Sequence, residues 1–339
     1  MRDKGKPAAF LGAVFLAAVL AAAPAPAQQT AEPVNPPPHT APFPVLGTGY
    51  NDRQIQGSLN LGPELERAQP AREMLAERRR LDAALATLQP QRRGTVDAYV
   101  VAVALDSDPV FAREAREAGQ VLVRRYDAGG RTITLAGPDG RTAGLPKGSL
   151  TALTLTLARV AELMDPTEDV LVLYSTSHGA QVGLAYHDGD SGYGILAPSR
   201  LGSLLGELGI RRRIILLSAC YSGVFVPFLK SADTAIVTAA SAERSSFGCQ
   251  ADNDWTFFGD ALVNNALRKP QPLAAAANEA SRVIAAWEKT YDLEPSQPQV
   301  AIGEGVSQWL PALEARGPRT ATTPVGTPAI SSMRQTAGR

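Results

Sequence analysis

Two residues in this chain have the types, and the settings, to do covalent chemistry together. His178 closes the run Tyr174–Ala180 (YSTSHGA) and Cys220 closes Leu216–Gly223 (LLSACYSG); the chain has only three histidines and two cysteines. Each stands where an apolar, strand-like stretch ends. In an open parallel α/β sheet those C-terminal strand ends are where sites form. A thiol and an imidazole brought together there suit a cysteine nucleophile with a histidine base. Amide attack also needs N–H donors for the oxyanion, and the backbone amides of Gly179 and Cys220 are the candidates. Gly179 lets the backbone approach closely, and Gly223 fits a tight turn after the thiol. A helix starting near Gly223 would lower the thiol pKa through its N-terminal dipole.

The elements that must position this pair follow from periodicity. Cys220 lies 42 residues beyond His178, room for a β-excursion, one helix and the next strand. Val96–Leu105, Asp169–Thr176, Arg213–Ser218 and Thr234–Ala239 read as strands, the second continuously apolar as expected when both faces are covered. A short helix is predicted near Pro109–Gly119. Val121–Tyr126 with Thr132–Leu135 is predicted as a further strand or a hairpin about Gly129-Gly130. Ser149–Met164, Pro198–Leu208, Trp255–Leu267 and Leu273–Tyr291 read as helices, Gln181–Ile195 as a β-excursion turning at HDGDSG, and Pro298–Ile302 as a last strand. Strands alternating with helices imply right-handed crossovers and a mostly parallel sheet, an α/β fold.

At 339 residues, 45% apolar and 19% charged, the chain is globular. Lys+Arg and Asp+Glu both number 33, so charge points to neither nucleic acid nor an anionic membrane. The first residues look like a secretory signal peptide: basic Arg2, Lys4 and Lys6, an apolar Ala8–Ala23, and Ala25-Pro26-Ala27 as a small-x-small cleavage pattern. Cleavage after Ala27 is expected, leaving the chain exported, near a net charge of −2, and without a stable membrane anchor. Residues 28–93 are predicted as a Pro/Ala-rich arm followed by amphipathic helix interrupted at Pro70; 94–311 form the main domain and 312–339 a disordered tail. Cys220 and Cys249 are expected as free thiols, since a bridge would extinguish the nucleophile. Asp252–Asp254 are read as a helix cap, His187–Asp190 as a turn, and His39 as inert; no metal or cofactor motif is present.

TSHGA, a strand, SACYSG, and then VTAAS, SSFGC and DNDWTFFGDAL together resemble the legumain-like cysteine peptidases, family C13, which also includes the GPI-anchor transamidase catalytic subunit. Caspases and gingipains are the broader relatives. The resemblance covers about Thr95–Leu310. It implies a caspase-like αβα sandwich, a His178/Cys220 dyad with no obligatory third residue, and no cofactor. It further implies peptide or protein substrates and cleavage through an acyl-thioester. Ser245-Ser246-Phe247 match the segment lining the non-prime cleft, and Asp260 matches a pocket aspartate. The chain departs from the Asn-cutting members at Ser218, where they carry Glu, and at Ser177, where they carry an acidic residue. It also has no arginine near Asp106–Pro109. An acidic Asp260 without a basic neighbour would favour a cationic or small polar side chain before the cut. The resemblance leaves two other readings open: a transamidase passing the acyl group to an amine, or a non-catalytic caspase-like binding module.

Overall fold

A computed structural model describes residues 39–137 and 144–331, with Met1 and Met333. The leader, 1–27, lies outside these residues, as does the part of the arm before 39. Five strands lie parallel in the main sheet: β2 (Ala98–Ala104), β3 (Thr132–Leu135), β4 (Val170–Thr176), β8 (Arg213–Ser218) and β9 (Thr234–Thr238). An antiparallel edge strand, β10 (Gln299–Ile302), completes the order β10-β9-β8-β4-β2-β3. A second sheet of four antiparallel strands, β1 (Glu64–Glu66), β7 (Gly192–Leu196), β6 (Gly183–Asp188) and β5 (Gly179–Ala180), stands beside it.

Strand periodicity divides the core into two halves. On one face of β2, Ala98, Val100 and Ala102 pack with α3 (Pro109–Arg125), α7 (Leu273–Thr290) and α8 (Val306–Glu314). On the other face Tyr99, Val101 and Val103 meet α4 (Leu150–Leu163), α5 (Pro198–Glu207) and α6 (Val226–Leu229). With helices on both sides of a mostly parallel sheet, the domain is an αβα sandwich. Local signals start the helices where expected: the Ser149 hydroxyl accepts from the Ala152 amide at 3.0 Å, and Pro198 takes the first turn of α5.

The structure departs from the sequence pattern in three places. Val121–Tyr126 does not form a strand; α3 runs on through Arg125, because Phe111, Ala115, Ala118 and Leu122 continue one buried helical stripe. Around 255–268 the expected α-helix is a π-helix over Gly259–Asn265. The Asn265 side-chain Nδ2 donates to the Asp260 carbonyl, and the side chains of Asn264 and Asn265 both donate to the Asp260 carboxylate. The tail is not disordered as far as residue 331: Ala329 and Ile330 are buried, and tail backbone supplies partners for Trp255, Asn264 and Asp260. The arm also holds more structure than composition suggests, with α1 (Asp52–Asn60), β1 and α2 (Ala71–Ala86), the last starting directly after Pro70.

Candidate active site at the ends of β4 and β8

Strand pairing itself aligns the two reactive residues. The last registered pair between β4 and β8 is Thr176 with Ser218, and the Ser177 amide then donates to the Ser218 carbonyl at 3.2 Å. His178 and Cys220 each follow two residues beyond that pair, so they leave neighbouring strands at the same level. A Cβ on Gly179 would lie 2.0 Å from the Cys220 carbonyl oxygen, so only glycine permits this approach. After the thiol the chain reverses sharply. Tyr221 adopts a left-handed backbone with φ 56°, and a 3-10 turn over Ser222–Phe225 follows. Gly223 is required by close packing, since its Cβ would come within 2.6 Å of the Ala242 nitrogen.

The surroundings of the thiol favour its ionised form. The Ser246 amide donates to Cys220 Sγ at 3.2 Å. A hydrogen bond from the Cys249 thiol is the largest influence, followed among the favourable ones by the Ser246 amide, the nearby His178 charge and the Ser245 hydroxyl. Against the opposing effect of burial they pull Cys220 down to about 6. Cys249 is pushed up in return, and both cysteines are free. The loop 244–249 thus supplies the main groups that lower the thiol; the helical turns after it, a 3-10 turn over Ser222–Phe225 and an α-turn over Val226–Leu229, are four residues each. The imidazole is tuned the opposite way. His178 is raised chiefly by the Asp108 carboxylate, whose Oδ2 lies 3.9 Å from Nε2, and further by the charges of Asp106 and Cys220. Phe111 meets its ring edge-on at a centroid distance of 5.0 Å. Thiolate beside imidazolium is the state this environment favours.

Asp108 was not anticipated as a partner of His178. The signal available was two carboxylates, Asp106 and Asp108, directly after a buried strand, at the same sheet end as the dyad. His39, read as inert, is also here: its Nε2 lies 2.9 Å from Ser107 Oγ and its Nδ1 3.5 Å from Asp108 Oδ1.

The residues expected to bind substrate divide into two groups. Ser245 and Ser246 belong to the loop that wraps Cys220, and both are solvent-accessible in part. Ser218 is buried beneath the site, its hydroxyl 3.0 Å from Thr256 Oγ1. Asp260 does not match its expected role. It is 1% exposed, and Asn264, Asn265 and the Ala329 amide occupy its carboxylate, so it is an internal group of the π-helix and tail rather than a pocket wall. The cationic preference inferred from it loses its basis. The acidic group under the strand ends is instead Glu114 of α3, wholly buried and accepting from Tyr174 Oη at 2.5 Å, Thr176 Oγ1 at 2.9 Å and the Thr256 amide at 2.9 Å.

An αβα protein with a thiol and an imidazole at adjoining ends of a parallel sheet falls in the class of cysteine-peptidase-type proteins. Residues 150–297, somewhat less than half of the chain, match the family model described as the Peptidase C13 family. Among solved structures, the crystal structure of caspase-1 from Spodoptera frugiperda is similar with a TM-score of 0.43 and 12% identity, over 63% of this chain and 92% of that one. No curated protein matches the chain. A peptidase family implies protein substrates. Among the described residues no helix is long and apolar enough to cross a membrane.

Proposed function

We propose that the protein is an exported cysteine endopeptidase in which Cys220 is the nucleophile and His178 the general acid and base. The observation that carries this reading is the equal displacement of His178 and Cys220 beyond the Thr176–Ser218 pair, with the thiol shifted down and the imidazole shifted up. In the reaction so assigned, Cys220 Sγ attacks the scissile carbonyl carbon, and the oxyanion takes the amides of Gly179 and Cys220. The His178 imidazolium gives its proton to the departing amine as the C–N bond breaks, leaving a thioester. Neutral His178 then takes a proton from water, whose oxygen attacks the thioester and releases the acid and the Cys220 thiolate. Asp108 is a positioning residue that holds His178 charged. Ser245 and Ser246 line the cleft before the scissile bond.

The test is cleavage of a diverse peptide library by the protein, read by mass spectrometry, beside Cys220→Ala. Cleavage that disappears in the variant is expected. Product appearing as an amide when amines are added would shift the assignment to transamidation, and no product from either protein under reducing conditions would leave a binding module. Export rests on Arg2–Lys6, Ala8–Ala23 and Ala25–Ala27; the mature N-terminus is expected at Gln28, and a secreted or periplasmic form that retains Met1 would overturn it.

A further inference from the structure

All three histidines of the chain gather at one end of the sheet, and two of them are not needed for peptide cleavage. His39 comes from the arm and His187 from β6; their rings stack with centroids 4.0 Å apart. Asp106, directly after β2, bridges to His187 by backbone pairing. One nitrogen from each imidazole and one oxygen of Asp106 lie within 4.8 Å of one another.

The group has an unmet need for a cation. The Asp106 side chain is fully buried, and Oδ1 accepts from the Asp108 amide at 2.9 Å. Its Oδ2 has no hydrogen-bond partner, and neither has the buried Nε2 of His187. His187 Nδ1 stands 3.5 Å from Oδ2, an ion-pair contact when the imidazole is protonated and not a hydrogen bond. A buried carboxylate oxygen without a donor is costly unless a positive charge sits against it.

We propose that His39, Asp106 and His187 bind one divalent transition-metal ion of the zinc class, and that the ion clamps the arm beside the His178 end of the sheet. Two imidazoles and a carboxylate are a borderline-soft donor set that such ions take, leaving a fourth position for water. Bond lengths of about 2.0–2.2 Å require the three atoms to draw together to roughly 3.4 Å. Because the rings are stacked, one imidazole must turn to aim its lone pair at the ion, and His39, on the arm rather than in a sheet, is that ring. The arm is already seated there. Asp190 accepts from the Thr40 amide and hydroxyl and from the Ala41 amide at 2.9, 2.6 and 2.9 Å, and Phe43 lies edge-on to His187 and Tyr193.

The experiment titrates the full-length chain carrying Cys220→Ala and Cys249→Ala with cobalt(II), so that no thiolate competes and no peptidase activity is required. One ion per chain is expected, with visible d–d bands, no sulfur charge-transfer band, and displacement by zinc. His39→Ala and His187→Ala should each weaken binding by about 100-fold. Zinc should slow proteolysis within residues 40–50, and should not do so in His39→Ala. His39→Ala replaces a residue of the arm and leaves every residue of the two sheets in place, so the test stands if His187→Ala fails to fold. Unchanged affinity in His39→Ala, or binding that requires either cysteine, would overturn the proposal.

Discussion

At the scale of single residues, the chemistry turns on which groups donate to a sulfur and which face an imidazole. Cys220 receives hydrogen bonds from Cys249 and Ser246, so its thiolate forms at about 6. Site-resolved alkylation by iodoacetamide should therefore rise with pH about a midpoint near 6. In Cys249→Ala the strongest donor is gone, and the midpoint should move up toward the ordinary thiol value of about 8.5. An identical midpoint in the two proteins would remove Cys249 from the account. The sign is opposite at His178, where Asp108 raises the pKa above its ordinary 6.5. Peptide cleavage that depends on thiolate and imidazolium should rise as Cys220 loses its proton and fall as His178 loses its own. Asp108→Asn should shift only the alkaline limb, toward lower pH, with a reduced maximum. A pH–rate profile with that limb unmoved would mean that the 3.9 Å contact does not tune the imidazole.

At the scale of elements, the site depends on two strand ends that touch. Gly179 and the Cys220 carbonyl are so close that a methyl group at 179 would occupy the carbonyl's position. Gly179→Ala should force the ends apart, and a displacement of about 1 Å at reacting groups costs about 100-fold in rate. Gly206 in α5 is the contrast, because a Cβ there meets nothing within 4 Å. Gly206→Ala should stabilise the protein by about 0.5–1 kcal/mol in chemical denaturation and leave activity unchanged. Equal activity in the two variants would show that the contact at 179 can relax. These elements explain what could be read in advance. Asp169–Thr176 and Arg213–Ser218 were legible because strands covered on both faces are continuously apolar, and His178 and Cys220 stood out because reactive types ended those runs. Val121–Tyr126 was not legible, since a β-branched run on a helix that packs against a sheet resembles a strand locally. The π-helix was hidden because its wide turn comes from side-chain bonds between Asp260, Asn264 and Asn265. Asp108 was hidden because its partner, His178, follows a different strand, 70 residues away.

At the scale of the whole molecule, segments that look like appendages by composition complete the domain. The tail reaches back along the face formed by α3 and the π-helix. Val325 accepts from Trp255 Nε1 at 2.9 Å and Asn264 Nδ2 at 3.0 Å, and the Ala329 amide donates to Asp260 Oδ2 at 2.8 Å. Burial raises the Asp260 pKa, as expected for a carboxylate enclosed by amides with no basic partner. An internal role and a substrate-binding role for this residue make different predictions. If Asp260 is internal, Asp260→Ala removes the buried carboxylate that accepts from the Ala329 amide and the Asn264 and Asn265 side chains. Each hydrogen bond lost contributes about 0.5–1.5 kcal/mol, so the unfolding midpoint should fall clearly. The peptide bonds that are cut should stay the same, because the residue preceding the scissile bond never meets this carboxylate. Truncation after Gly317 should reproduce the loss of stability through the same contacts. Both variants can be followed by thermal denaturation and by the cleavage pattern on one peptide library. A changed pattern in Asp260→Ala at unchanged stability would return Asp260 to the substrate pocket; reduced stability with an unchanged pattern makes it the anchor that fastens the tail to the αβα domain.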